Sequence, residues 1–361
     1  MLALTVLCGF LASPQGSGES APAGPLEVEA QRWAEMREDA QPHGRLGFRG
    51  RSAQDSQAGF GPLSIVSQSP IQVLRLSLKP RSPITLEAGR LEFGWHETLV
   101  NVFAFKEQNF LFDHGSLMSS LSLAYGVTDS VQVEFGYTDL SKFDSIIDPL
   151  TDAYHELFGY AESGGGQFPS RDNEIRFYDN SGNLQLLDRE EGSWSRDLSF
   201  ALQHNLTRGS DTLPALAYEV TARAHAGGFA QLEGPSPFSV GVAAAAAKRF
   251  GKELYTYLNL GHAWHDLDHY ARVDLKRAQW TGSLALEWRY GERSAWILQY
   301  MISEGSTFRR ESLNDSSHEV ALGWKREIAA GTVLEAGMIQ NAVNYENSPD
   351  FGLHFGLRHR F

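Results

Sequence analysis

From Glu87 to the C terminus the sequence repeats one pattern, in which apolar side chains alternate with small or polar ones over segments of ten to fourteen residues. A period of two is the period of a β-strand, because successive side chains of a strand point to opposite faces. In residues 280–290, for example, Trp, Leu and Tyr occupy one parity, and Thr, Ser, Ala, Glu and Arg occupy the other. Segments of this kind predict a sheet with one apolar face and one polar face.

The alternating segments predict about twelve antiparallel strands. Their approximate bounds are 90–105, 116–126, 130–140, 195–207, 214–225, 237–250, 253–264, 278–290, 294–304, 316–327, 332–342 and 350–361. An even number of strands lets a closed antiparallel sheet keep both of its ends on one side, as single-chain bacterial barrels do. The sequence therefore predicts an all-β fold, a closed antiparallel transmembrane β-barrel.

The predicted connections between these strands alternate in length. Tight turns are expected at 126–129, 208–213, 251–252, 291–293 and 328–331, and longer links at 106–115, 141–194, 226–235, 265–277, 305–315 and 343–349. Short turns on one side and long loops on the other are typical of outer-membrane barrels, whereas the connections of a soluble β-sandwich need not sort by length. Aromatic residues near the strand ends predict two interfacial belts. The residues are Tyr125, Phe250, Tyr255, Trp288, Tyr290, Trp296 and Trp324 near the short turns, and Phe103, Trp264 and Trp280 near the other ends.

Composition excludes two other classes of protein. The 31 basic residues are outnumbered by 44 acidic ones, and a net charge of -13 argues against a nucleic-acid partner, which rewards clustered Lys and Arg. Beyond the first residues, no uncharged apolar run approaches the roughly 18–20 residues that a spanning helix needs. A hydrophobic content of 42% is enough for a barrel, because only every second residue of a strand must face lipid.

The N-terminal region is expected to be separate from the barrel. Residues 2–12 are apolar and precede several small residues, which predicts an export signal over 1–18 with an uncertain cleavage site. The single cysteine, Cys8, lies within it, so removal of the signal leaves a chain without thiol chemistry. Residues 19–82 are expected to form a periplasmic arm, linker or plug, with a candidate acidic helix at 26–41. Residues 71–78 alternate like a short strand, which the neighbouring prolines confine to an edge or an extended arm.

The C-terminal strand ends in Phe361. This arrangement resembles the C-terminal signature of bacterial outer-membrane barrels, whose final aromatic residue is read by the insertion machinery. The resemblance implies the bacterial outer membrane as the location, with membrane lipid and the insertion machinery as partners.

Two further stretches resemble an uncharacterised family of outer-membrane barrels that is known as a domain of unknown function. One runs from Gly61-Pro62-Leu63 to Gln68-Ser69-Pro70, and the other from Asp148-Pro149 through His155 to Phe158-Gly159. The resemblance covers residues 61–361. It implies an outer-membrane location and no assigned activity, so no functional residue is carried over.

The inward parity of the strands carries a balanced set of charges. Five acidic and five basic residues are predicted to line the lumen: Glu134, Glu219, Arg223, Glu287, Arg289, Glu319, Lys325, Glu335, Arg358 and Arg360. Opposite charges at close quarters favour pairing across the lumen, since an isolated charge there is costly to desolvate. The pattern fits either a narrow polar conduit or a salt-bridged, filled interior.

The long link 141–194 holds eleven acidic and four basic residues, about half of the net negative charge. Asp148 and Pro149 are typical N-cap and N1 residues of a helix that Gly159 can end, and a hairpin is expected within 171–187. One hypothesis is a lid whose carboxylates meet divalent cations bound to lipopolysaccharide; the alternative is a solvated acidic loop. Asp148, Asp152 and Glu156 share one helix face and are candidate metal ligands, although such spacing is common on solvated helices.

A possible catalytic pair is His114 with Ser116. Outer-membrane phospholipases are also twelve-stranded and use a His-x-Ser pair with a nearby Asn, in which His activates Ser for attack on an ester. Here Leu117 and Met118 stand where that family has Asn-Gly, no Asn is placed to orient the imidazole, and the pair has inward parity. These departures count against an acyl hydrolase.

The function predicted from sequence is therefore a narrow channel or transporter for small polar solutes, or a structural envelope protein with a filled lumen. The alternatives are a membrane-embedded lipid hydrolase and a soluble, secreted β-sandwich that binds a ligand. No cofactor and no metal are expected. Five polar residues do not fit their assigned outward parity: His204, Thr256, His262, Gln299 and Gln340.

Overall fold

The computed structural model describes residues 59–361, except 145, 159–172, 180, 229–237, 271–272, 309 and 311. By internal contacts the chain divides into Met1–Gly47 and Phe48–Phe361, and every described residue belongs to the second unit. The predicted export signal, the helix at 26–41 and most of the N-terminal arm lie outside the described residues.

The described residues form sixteen strands and one α-helix. The strands are β1 (Leu91–Lys106), β2 (Phe110–Thr128), β3 (Val131–Phe143), β4 (Glu174–Tyr178), β5 (Leu184–Asp188), β6 (Gly192–Thr207), β7 (Ala215–Gly227), β8 (Phe238–Phe250), β9 (Leu254–His265), β10 (His269–Tyr270), β11 (Val273–Asp274), β12 (Ala278–Gly291), β13 (Ser294–Ser303), β14 (Ser317–Ala329), β15 (Thr332–Asn341) and β16 (Phe351–Arg360). The helix, α1, is Asp148–Phe158. No helix in this part of the chain is long and apolar enough to cross a membrane.

Twelve of the strands close into one antiparallel barrel. Each of β1, β2, β3, β6, β7, β8, β9 and β12 to β16 pairs with its neighbours in the chain order of the barrel, and β1 pairs with both β2 and β16. The predicted twelve-stranded barrel is confirmed, and the alternative of a soluble sandwich is wrong because the sheet has no open edge within the barrel. Strand bounds agree with the prediction within about three residues, except that β2 begins at Phe110 rather than near 116. The predicted long link 106–115 is therefore a tight turn of residues 107–109.

The outward face of the barrel is apolar. Large side chains such as Leu123, Phe135, Leu260 and Leu298 are about half exposed there, as expected for a surface covered by lipid. Aromatic side chains cluster at both ends of the wall. Examples are Trp288, Tyr290 and Trp296 near the short turns, and Trp264 and Trp280 around the His262 ring at the long-loop end.

Three of the predicted orientations are wrong. Tyr255 and Phe103, assigned to the aromatic belts, are buried. Gln299, assigned to the outward face, is fully buried within the barrel, and its side chain binds the backbone of Leu63. Between Ala295 and Ile302 of β13 both parities are apolar apart from this residue, so the alternation alone does not say which face points outward.

The lumen is occupied by residues 59–86, which we call the plug segment. Phe60 and Leu86 bind wall residues close to the short turns. Ser69 and Gln72 bind Asn347 and Ser306 in the long loops at the opposite end of the barrel, which we call the outer loops. The segment therefore runs from the short-turn end to the long-loop end and back. A 3-10 turn at Gln72–Leu74 makes the reversal, and the predicted strand at 71–78 is wrong, since no described residue of this segment pairs in the sheet.

The outer loops meet above the lumen. The β4–β5 hairpin extends the wall by pairing with the first residues of β2. Phe177 of this hairpin and Trp194 both contact Tyr270 of β10, and Arg310 donates to the carbonyl of Tyr178 at 2.6 Å. The helix and the hairpin predicted within the long acidic link are thus both present, and the hairpin contributes to an aromatic cap over the barrel.

Candidate functional site

Carboxylates of the wall bind the plug segment by its backbone amides. Glu287 of β12, completely buried, accepts hydrogen bonds from the N–H groups of Phe60 at 2.8 Å and Gly61 at 3.1 Å and from the Tyr257 hydroxyl at 2.8 Å. Gly59 has a φ of +60°, and a Cβ there would lie 2.3 Å from the Tyr257 hydroxyl oxygen and 2.6 Å from Glu287 Oε2. Glycine is required at the position where the segment passes closest to this carboxylate.

Two more carboxylates act in the same way further up the lumen. Glu319 of β14 accepts the Ser67 hydroxyl at 2.6 Å and the Gln68 N–H at 3.1 Å. Glu335 of β15 accepts the Ser64 N–H at 2.7 Å, and its other oxygen lies 2.6 Å from Lys325 Nζ. Because hydrogen bonds to charged groups are stronger than neutral ones, these contacts fix the height of the ascending chain.

Apolar packing holds the same part of the plug segment against the same wall. Leu63 and Ile65 are fully buried and belong to one cluster with the small and branched side chains that line β12 to β15. Gly323 and Gly337 leave room for Leu63, since a Cβ at Gly323 would lie 2.5 Å from Leu63 Cδ2. The ascending half of the segment is therefore seated by both apolar and polar contacts.

The descending half is held by charge pairs and amide side chains. The Arg81 guanidinium donates two hydrogen bonds, of 2.7 and 2.8 Å, to the Glu134 carboxylate of β3, and it also contacts Glu219 of β7. Its backbone N–H donates to the Asn259 side chain at 3.1 Å. The side chain of Gln203 donates to the carbonyl of Ser82 at 2.7 Å.

A polar cavity of about 140 Å³ remains between the plug segment and the other side of the wall, formed by β1, β2, β3, β6 and β7. Hydroxyl side chains supply much of the wall surface: Thr98, Ser120, Ser122, Thr138, Ser199 and Thr221. Four cations and three carboxylates also line it: Arg75, Lys79, Arg81 and Arg223 with Glu134, Asp197 and Glu219. The cavity is a part of the lumen that the plug segment leaves open.

The structure places the ten predicted lumen residues as follows. Glu219, Glu287, Glu319, Lys325 and Glu335 are buried inside the barrel. Glu134 and Arg223 face the cavity, Arg289 lies over the Phe60 ring at 5.2 Å, and Arg358 donates to the Phe60 carbonyl at 3.1 Å. Arg360 binds Glu92 at 2.5 Å near the short turns.

Most of these charges pair with the plug segment or with near neighbours rather than across an empty lumen. Two lumen carboxylates were missed by sequence reasoning: Asp197, which holds Arg223 at 2.6 Å, and Glu92, which holds Arg360. Their parity beside Arg223 and Arg360 on paired strands was the available signal.

Within the described part of the chain, one group of three ligand-type side chains brings its ligand atoms within 4.8 Å of one another: His96, Glu335 and His354. Both ring nitrogens of His354 are already engaged, with Thr98 and with Glu335 at 2.9 Å each. The Lys325 ammonium lies 2.6 Å from the other oxygen of Glu335. Glu335, His354 and Lys325 therefore form a hydrogen-bonded network, and the His96 ring stacks on the His354 ring at 5.8 Å.

The weaker candidates from sequence do not assemble into a site. Asp148, Asp152 and Glu156 lie along α1 without bringing their oxygens into a common cluster. His114 and Ser116 are both buried within the outer part of the barrel, where the His114 ring contacts Phe112 and Trp194. A side chain in this position has no contact with the lipid-facing surface.

The long acidic link keeps some of its charges internal. Lys142, fully buried, binds Asn173 at 2.9 Å and Asp188 at 3.4 Å. In the last long loop, burial raises the pKa of Asp350 to about 8, and the Asn341 amide, which donates to this carboxyl at 3.3 Å, offsets the rise only in part.

Fold and site together define a closed, twelve-stranded barrel of the outer-membrane type whose lumen is occupied by its own N-terminal segment. The family model described as "Protein of unknown function (DUF3187)" matches residues 49–361, and the chain belongs to that family. A comparison with curated proteins finds no significant match.

Solved structures similar to this chain are outer-membrane barrels. The COG4313 outer membrane channel from Pseudomonas putida F1 is 12% identical, with a TM-score of 0.52, over 79% of this chain and 100% of that one. The translocator domain of the autotransporter NalP from Neisseria meningitidis is 9% identical, with a TM-score of 0.41, over 76% and 90%. At these identities the likeness concerns the fold alone.

Proposed function

We propose that this protein is an outer-membrane channel for small polar solutes that its own plug segment holds closed. The observation that carries the proposal is the asymmetry of the lumen. The plug segment adheres to β12–β15 through apolar contacts and carboxylates, but it leaves a hydroxyl-lined, charged cavity along β1, β2, β3, β6 and β7. A cavity of this kind offers a small solute polar partners inside the barrel.

Opening requires the plug segment to shift away from the outer loops. Its polar contacts there join Ser69 to Asn347, Gln72 to Ser306, and Arg75 to the Lys276 carbonyl. Hydrogen bonds of this type exchange readily with water, because each contributes only about 0.5–1.5 kcal/mol net. Ile71, Val73 and Leu74 of the bend also lie in the buried apolar cluster with loop residues such as Leu267 and Leu313, so opening must uncover these side chains as well.

A filled structural barrel is the second candidate, and a specific observation favours it. Side chains of the ascending plug segment share one apolar cluster with the barrel interior, as a permanent core does. The outer membrane is the proposed location in both cases, with lipid covering the apolar outer face.

Planar-bilayer recording of the folded full chain separates the two candidates. The channel predicts rare openings in the wild type and a larger open fraction in Glu319→Gln, which weakens the hold on Ser67 and Gln68. Glu253→Gln is the matched control, because Glu253 is exposed in the β8–β9 turn and the charge change is the same. Flat traces from all three proteins, each shown to be folded by its heat-dependent gel mobility and its membrane fraction, would favour the structural barrel.

A further inference from the structure

The lumen cavity carries more positive charge than the rest of the chain suggests. Four basic residues and three acidic residues line it, in a protein whose net charge is -13. Two of the cations are already paired with carboxylates, because Arg81 donates two hydrogen bonds to Glu134 and Arg223 binds Asp197 at 2.6 Å. Lys79 lies 4.0 Å from Glu134, so Arg75 is the lining cation without a carboxylate partner among the described residues.

Arg75 is the cation whose hydrogen-bonding capacity is least used. It is 4% exposed and lines the cavity, and only its Nη2 binds a partner, the Lys276 carbonyl. Its Nε and Nη1 atoms have no hydrogen-bond partner among the residues that the structure describes. A buried guanidinium with two unpartnered donor nitrogens is costly, and an anion is the ligand that compensates it best, through charge-assisted hydrogen bonds.

The rest of the cavity wall can bind a hydroxylated part of an anionic ligand. Ser120, Ser122, Ser199 and Thr221 present hydroxyls, which bind ligand hydroxyls as donors or acceptors. A buried water needs about 10–15 Å³ of such a cavity, so 140 Å³ holds on the order of ten waters or a solute of similar size.

We propose that the cavity is a binding site for a small hydroxylated anion, whose carboxylate or phosphate group is held by Arg75 and whose hydroxyls contact the Ser and Thr side chains of β2, β6 and β7. This inference rests on the proposed channel function, of which it names the solute class. Lys79, only 4.0 Å from Glu134 and partly exposed, adds positive charge on the same side of the plug segment.

Titration calorimetry on the folded full chain in detergent tests the site, with sodium gluconate, inorganic phosphate and neutral sorbitol as probes at constant ionic strength. We expect gluconate to bind and sorbitol to bind at least about tenfold more weakly, as for the loss of one charge-assisted hydrogen bond. If phosphate binds as tightly as gluconate, the site recognises the anionic group alone. If phosphate binds more weakly, the hydroxyl groups of gluconate contribute to binding as well.

Variants identify the residue responsible. Arg75→Gln should weaken gluconate binding about tenfold or more. Arg75→Lys should have an intermediate effect, because lysine keeps the positive charge but lacks the planar guanidinium. Arg293→Gln, an exposed arginine in the β12–β13 turn, is the matched control. If Arg75→Gln fails to fold, Ser199→Ala keeps every charge and should weaken gluconate several-fold, on the order of the loss of a neutral hydrogen bond.

The result that would overturn the site is the absence of saturable anion binding, equal binding of sorbitol, or gluconate binding unchanged in the Arg75 and Ser199 variants. Equilibrium binding is measured without transport, so the two proposals fail separately. Arg75-dependent binding together with flat bilayer traces would reject the channel and support the binding site. Conduction without anion binding would support the channel and reject the binding site.

Discussion

Replacing Leu63 by Ala measures how firmly the plug segment is seated. Leu63 is fully buried against Gly323 and Gly337, whose backbones cannot move inward to fill the space that three missing carbons leave. Leu→Ala at such a site costs about 2–5 kcal/mol. When the segment leaves the wall the cavity disappears, so the whole cost falls on the seated state. Taking about 3 kcal/mol, the unseated population rises about 150-fold.

Limited proteolysis reads this population directly. The plug segment carries Arg75, which is buried when seated, and Arg81, which is partly buried, and both become trypsin sites when the segment is released. Cleavage follows the open population when opening is fast relative to cleavage, so we expect cuts after these arginines to accelerate on the order of 100-fold.

Leu298→Ala is the control for this experiment, since Leu298 lies on the outward face of β13 and is 48% exposed. Cleavage of Leu63→Ala within about threefold of the wild type would refute the seating energy derived from the cavity term. It would mean that the carboxylates alone hold the segment.

Three further changes test other contacts. Gly59→Ala should unseat the lower end of the plug segment by about 1–3 kcal/mol more than Gly251→Ala, because both have positive φ but only Gly59 lacks space for a Cβ; equal trypsin sensitivity would contradict this. Asp350 is protonated when folded and ionised when unfolded between pH about 4 and 8, so its contribution to stability is lost as pH rises through that window; Asp350→Asn should flatten the fall in the urea midpoint, and an unchanged slope would argue against the buried acid. Lys325→Met should cost about 3–5 kcal/mol by removing the cation beside the buried Glu335, and Lys325→Met with Glu335→Gln, which keeps an acceptor for Ser64 and His354, should recover much of it in chemical denaturation; additive losses would speak against the pair.

The barrel was predictable because its strands obey one rule along most of their length. Where one face meets lipid and the other a polar lumen, as in residues 280–290, alternation is clear and strand bounds follow from it. The rule fails where both faces are covered. Phe110, Leu111 and Phe112 are all buried, since the first residues of β2 lie beneath the outer cap, and their continuous apolar run hid the start of the strand.

The path of the plug segment was not predictable for a different reason. Many of its contacts join residues more than 200 positions apart, such as Phe60 with Glu287, and several of these use backbone N–H groups, which every residue except proline possesses. No periodicity marks them. The wall carboxylates were predicted to face inward, but a prediction limited to side chains paired them with basic side chains of the wall, whereas their main partners are amides of the plug segment.

This partnership explains how an acidic chain acquires a cationic cavity. Glu287 and Glu319 accept hydrogen bonds from backbone N–H groups of the plug segment and from hydroxyls, so hydrogen bonds rather than ion pairs satisfy their oxygens. The plug segment meanwhile carries its own cations, Arg75, Lys79 and Arg81, to the opposite side of the lumen, where Glu134 and Glu219 neutralise chiefly Arg81. The plug segment lies between the Glu287 and Glu319 carboxylates and its own cations. The sign of the charge around the cavity is therefore set by the residues on the descending half of the segment. Solute charge preference in this barrel should therefore follow substitutions in the plug segment more closely than substitutions in the acidic outer loops.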